Sequence, residues 1–118
     1  MTTVVYGIPN CDTVKKARVW LDEHGVAFDF HDFKKAGLTA AIVKGWLKDV
    51  PLETLVNRRG TTWRALPDEV KASAETEAGA IALMLDKPSV IKRPVVEVDG
   101  RVKAVGFVSD QYAALFAA

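Results

Sequence analysis

Tyr6-Gly7-Ile8-Pro9-Asn10-Cys11-Asp12-Thr13-Val14-Lys15-Lys16-Ala17 holds the single cysteine of the chain and places it where a strand hands over to a helix. The residues before it, Thr2 to Tyr6, are β-branched and aromatic and read as a strand, while Gly7, Pro9 and Asn10 mark a turn. Beyond Cys11, Val14, Ala17 and Leu21 recur at helical spacing, flanked by Trp20 and His24, and Gly25 is placed to stop the helix in the left-handed conformation. Cys11 therefore sits at a helix N-terminus, where unpaired N–H groups and the helix dipole favour a thiolate, the nucleophilic form of cysteine. Asp12 opposes that effect and Lys15 and Lys16 support it. The competing reading is a buried, inert thiol, common for a lone cysteine.

The chain has 118 residues, enough for one domain that buries roughly two thirds of its unfolded surface. Sixteen Lys and Arg stand against 15 Asp and Glu, a net charge of +1, which creates no global field for nucleic acid or an anionic membrane. One cysteine excludes an internal disulfide. With no signal-like start and no apolar run near membrane-spanning length, the expected location is cytoplasmic and the expected state a monomer.

After Gly25, the stretch from Val26 to Phe33 alternates and reads as a half-buried strand with Phe28 and Phe30 on one face and His31 on the other. A strand, helix, strand order calls for a parallel pair joined by a right-handed crossover. Thr39 is placed to cap a helix with Ile42, Val43, Trp46 and Leu47 on its apolar face, and Leu52, Leu55 and Val56 suggest a short helix. Asn57-Arg58-Arg59-Gly60-Thr61-Thr62-Trp63-Arg64 reads as a loop whose arginines offer forked donors to an oxyanion; a solvated basic loop is the plainer alternative. Pro67 to Leu85 reads as one or two helices broken near Ser73. Ser89 to Phe107 reads as two strands joined through Asp99-Gly100, with Pro94 opening a strand at a position suited to a cis bond, and Ser109 or Asp110 caps a last helix. No metal-ligand pattern stands out.

This order is that of an α/β, thioredoxin-like fold: a small mixed sheet built β-α-β, helical insertion, β-β-α, with helices on its faces. We expect a single domain over residues 1–118 with the insertion at about residues 38–88. The Cys11 segment, Phe30-His31-Asp32, the Asn57 to Arg64 segment and Ile91-Lys92-Arg93-Pro94 together resemble the ArsC family, closest to its Spx/YffB branch, over nearly the whole chain.

The resemblance implies that Cys11 is the nucleophile and that Arg93, before a cis Pro94, reaches the site. It also implies an arginine from the loop, Arg58 first and Arg59 close behind. Arsenate reductases of the family hold arsenate with three arginines and complete the reduction with glutathione and glutaredoxin. Here the last strand offers only Arg101 or Lys103 in place of the third, which weakens the case for arsenate. Spx regulators bind the RNA polymerase alpha subunit and sense redox state through a Cys-x-x-Cys pair, but position 14 is Val14. The function expected is thus a glutathione-dependent thiol reductase with one nucleophile, an oxidoreductase with no bound cofactor and glutathione as cosubstrate. Asn10 and Thr13 are candidate hydrogen-bond donors to the thiolate, Arg58, Arg59 and Arg93 are candidate anion ligands, and the backbone at Pro94 is a candidate partner for an extended glutathione chain. The alternatives are oxyanion reduction of the arsenate type and a regulator that binds RNA polymerase.

Overall fold

The computed structural model describes residues 1–117. The chain divides into two compact units, Met1–Gly37 with Arg93–Ala118, and Leu38–Lys92.

The first unit is built on a four-stranded sheet in the order β2-β1-β3-β4, where β1 is Thr3–Gly7, β2 Asp29–Asp32, β3 Val95–Val98 and β4 Arg101–Val105. β1 runs parallel to β2 and antiparallel to β3. Phe30, Val5, Val96 and Ala104 align in register across all four strands. That row meets Ala17 and Leu21 of α1 (Asp12–Glu23) and Tyr112 of α7 (Ser109–Leu115) in one core. The apolar stripe read from the sequence of α1 is the buried one: Val14, Ala17 and Leu21 are fully buried. Tyr112 locks α7 down by donating its hydroxyl hydrogen to the Gly106 carbonyl at 2.8 Å, with its ring edge-on to Trp20 and Phe107.

α1 ends as expected at Gly25, whose φ of +69° allows Gly25 N–H to reach the Asp22 carbonyl and Val26 N–H the Leu21 carbonyl. That closure shortens the strand expected from residue 26. Val26 is spent on the helix end, and pairing with β1 begins only at Asp29, opposite Val4. Asp32 terminates the strand by accepting from the backbone N–H groups of Lys34 and Lys35. The Asp99-Gly100 hairpin forms with both residues at positive φ, 52° and 81°.

The second unit is helical: α2 (Ala40–Leu47), α3 (Leu52–Leu55), α4 (Thr61–Arg64), α5 (Asp68–Ser73) and α6 (Glu77–Asp86), then a 3-10 turn at Pro88–Val90. Thr39 caps α2 by accepting from Ile42 N–H at 3.2 Å, and Thr76 caps α6 by accepting from Gly79 N–H at 3.1 Å. Val43 and Trp46 form the buried face of α2.

Three expectations are corrected. Thr61–Arg64, read as loop, closes one helical turn, too short for any apolar periodicity to announce it. Ser89 to Arg93 is no strand. Pro88 opens a tight turn, Val90 accepts from Asn57 N–H, and Ile91 makes an isolated bridge with Val56, so β3 starts after Pro94. The last helix is preceded by an extended Val108, with Ser109 already in its first turn and no side-chain cap.

Candidate active site

Cys11 is the N-cap of α1, with extended backbone (φ −95°, ψ 125°), its N–H donating to the Ile8 carbonyl at 3.2 Å. Gly7 explains how the helix start comes down on the end of β1. A Cβ at Gly7 would lie 2.9 Å from a methyl of Val14, closer than real Cβ contacts allow. The missing side chain seats the first turn of α1, and the thiol with it, against the strand.

The half-buried thiol is subject to opposing influences. Partial burial pushes its pKa up, but hydrogen bonds from the Val14 N–H and the Arg93 side chain, the Arg93 charge and the Thr13 N–H outweigh it, and the net result lies below the ordinary thiol value. The charge that acts on the thiol comes from Arg93, across the sheet, rather than from Lys15 or Lys16 on its own helix. Thr13 contributes its backbone N–H, and Asn10 is exposed in the turn that precedes the cysteine. Arg93 precedes a cis peptide bond to Pro94, whose carbonyl is held by Gly106 N–H at 2.8 Å. Lys103 and Arg101, the stand-ins for a third arginine, are both exposed on β4.

Arg58 and Arg59 belong to the second unit and both are exposed. With Glu53, Thr54, Asn57 and Lys92 they line a cavity of about 540 Å³. Asn57 organises this loop: its N–H donates to the Val90 carbonyl at 2.7 Å, its side-chain oxygen accepts from Arg59 N–H and its carbonyl from Gly60 N–H. The Arg58 guanidinium lies over the Trp63 ring, 5.5 Å from its centre. Sequence reasoning singled out the two arginines but missed Lys92 and Glu53. The signal available was the Asn before Arg-Arg-Gly, a residue type that folds its own backbone into a turn. Among the described residues there is no cluster of three or more His, Cys, Asp or Glu able to hold a metal.

On the opposite face of the sheet, Tyr6 donates to Glu97 at 3.2 Å and its ring lies 4.8 Å from that of His31. Burial and the adjacent Glu97 carboxylate push the Tyr6 hydroxyl up to about 12. His31 itself bonds the Gly37 carbonyl, a structural tie.

Beside this geometry, a cysteine at a helix start joined to an arginine before a cis-proline, stands the comparison with family profiles: that of the ArsC family matches residues 6–115. The chain belongs to the ArsC family. Among its relatives is an uncharacterized protein of Haemophilus influenzae, 40% identical over 96% of this chain and 97% of that one. The global transcriptional regulator Spx of Streptococcus agalactiae is 28% identical over 87% of this chain and 74% of its own length. The YffB protein structure superposes with a TM-score of 0.91 at 52% identity, covering 98% of this chain and all of that one. An arsenate reductase-related protein from Brucella melitensis superposes at 0.78 with 51% identity, covering 100% of this chain and 97% of that one. The fold is thus the mixed α/β, thioredoxin-like fold of ArsC proteins. Among the described residues no helix is long and apolar enough to cross a membrane.

Proposed function

We propose that this ArsC-family protein is a glutathione-dependent thiol reductase working through Cys11 alone. The observation that carries the reading is the hydrogen bond from Arg93 to a thiol already at a helix N-terminus, which favours the nucleophilic thiolate. On a mixed disulfide between glutathione and a substrate, the Cys11 thiolate attacks the glutathione sulfur. A Cys11–glutathione bond forms, the substrate sulfur leaves as thiolate and takes a proton from water. A second glutathione thiolate then attacks the adduct, releasing Cys11 and oxidised glutathione. The chain has no second cysteine, so an external thiol must perform this last step. Glutaredoxin is the protein donor to compare with glutathione. Arg58, Arg59 and Lys92 supply a basic cavity suited to carboxylates or to a small oxyanion. Arsenate is therefore the second ligand to test.

A regulatory reading is favoured by one observation, the similarity to Spx. Against a disulfide switch stands Val14, fully buried beside Gly7 in the core. This reading predicts binding to an RNA polymerase alpha subunit that survives Cys11→Ser.

The deciding measurement is the rate of Cys11 alkylation by iodoacetamide against pH, with and without glutathione or arsenate. We expect a midpoint below that of a free thiol, protection by glutathione, and turnover that disappears in Cys11→Ser. A thiol of ordinary pKa, indifferent to both ligands, overturns the reductase reading.

A further inference from the structure

The exposed flank of α1 carries an apolar groove that the proposed chemistry does not use. It is lined by Lys15, Lys16, Val19, Trp20, Glu23 and Phe107 and has a volume of about 370 Å³. Val19 is 53% exposed and Val108, next in the chain to Phe107, 59%; the one other large hydrophobic so exposed among the described residues is Met1. Two exposed valines beside a groove invite cover. The groove's rim is polarised: Lys15 and Lys16 stand at the end nearer Cys11 and Glu23 at the far end. Cys11 leads the same helix, so at 1.5 Å per residue Val19 lies roughly 12 Å along the axis from the thiol.

We propose that this groove docks the protein segment whose disulfide Cys11 attacks. The segment has an acidic pair next to its sulfur, an apolar side chain about four extended residues away, and a basic residue beyond that. The charge order follows from the rim, since an acidic pair would meet Lys15 and Lys16 and a basic residue would meet Glu23. A small thiol needs only the helix start; a groove leading away from the thiol suits a polymer. The exchange itself is balanced. On a docked segment the Cys11 thiolate bonds the segment's own sulfur instead of a glutathione sulfur, the segment's disulfide breaks, and its other sulfur departs as thiolate. A glutathione thiolate then releases the segment from Cys11 as its mixed disulfide with glutathione. This proposal rests on the reading of Cys11 as a nucleophile.

The test uses a synthetic peptide of cysteine, two aspartates, glycine, leucine, glycine and lysine, activated as its thionitrobenzoate disulfide, and an isomer with the acidic and basic residues exchanged. Release of thionitrobenzoate gives the rate, and Ellman's reagent without peptide reports the intrinsic reactivity of Cys11. We expect the first peptide to react about tenfold faster than its isomer, with the advantage falling as salt is raised. Val19→Asp should abolish that preference and Lys16→Glu should transfer it to the isomer, each read as the ratio of the two peptide rates so that any change in the thiol itself cancels. Both positions are exposed, so the variants should fold. Equal rates for the two peptides with a thiol still reactive toward Ellman's reagent overturn the docking surface alone. Failure to react with any disulfide overturns the reductase reading as well. A concentration-dependent dimer lost in Val19→Asp would assign the groove to a second copy of the chain and likewise overturn the proposal.

Discussion

Cys11 owes its character to a contact made over most of the length of the chain. Its helix position was legible locally, but the cation that favours its thiolate is Arg93, brought to it by the pairing of β1 with β3. Arg93→Ala should therefore move the alkylation midpoint of Cys11 upward, whereas Lys15→Ala should leave it nearly in place. The linkage has a definite sign. The folded-state pKa is depressed, so the thiolate adds stability that is fully present above the unfolded thiol value and is lost as pH falls through the lower, folded value. In urea titrations the stability of the wild type relative to Cys11→Ser should accordingly rise with pH across that window. Tyr112 is the corresponding residue of the core. Fully buried, with its hydroxyl donated to Gly106, it is pushed well above the ordinary phenol value by burial. Tyr112→Phe removes one buried hydrogen bond and should cost about 1 kcal/mol, measured by urea denaturation.

At the scale of elements, two helical glycines make a contrasting pair. Gly45 lies within α2 with nothing within 4 Å of the position a Cβ would take. Gly45→Ala should stabilise the protein by up to about 1 kcal/mol, because alanine loses less backbone entropy in a helix. Gly79 lies in the first turn of α6, where a Cβ would fall 1.8 Å from the Ser73 carbonyl oxygen. Gly79→Ala should therefore destabilise by about 1–3 kcal/mol, since backbone must move to admit the methyl. Opposite shifts in denaturation midpoint would establish both; a stabilised Gly79→Ala would mean that the α5–α6 corner yields freely. Propensity alone assigns the two glycines the same sign. The close approach of Ser73 separates them, and no local pattern announces it.

At the scale of the molecule, the four-stranded sheet has β1 and β3 at its centre, each paired on both edges. Amides of Val5 and Val96 should exchange with solvent only on global opening, while α4 and α5, which bury no residue of their own, should exchange by local opening at least a hundredfold faster. Hydrogen-exchange mass spectrometry on the intact chain reads both. Much of this architecture was legible in the sequence. The β-branched Thr3 to Tyr6 run, the buried stripe of α1, the Gly25 stop, the cap at Thr39 and the Asp99-Gly100 hairpin all depend on neighbours within a turn or a strand length. Several misread segments have backbone groups claimed by partners that the local pattern does not show, whereas Thr61–Arg64 is a single turn, too short for a period. Val26 closes a helix instead of extending β2, and Asn57 and Ile91 pair segments far apart in the chain. By itself the sequence determined the elements, their order and the helix-leading cysteine, because backbone propensity, caps and apolar periodicity act locally. Only the tertiary structure decided that Arg93 is the charge beside Cys11, that Pro94 follows a cis bond and that Lys92 and Glu53 join the two loop arginines around one cavity. Those juxtapositions require chain closure over long loops, and their geometry is set by packing rather than by the residues next door.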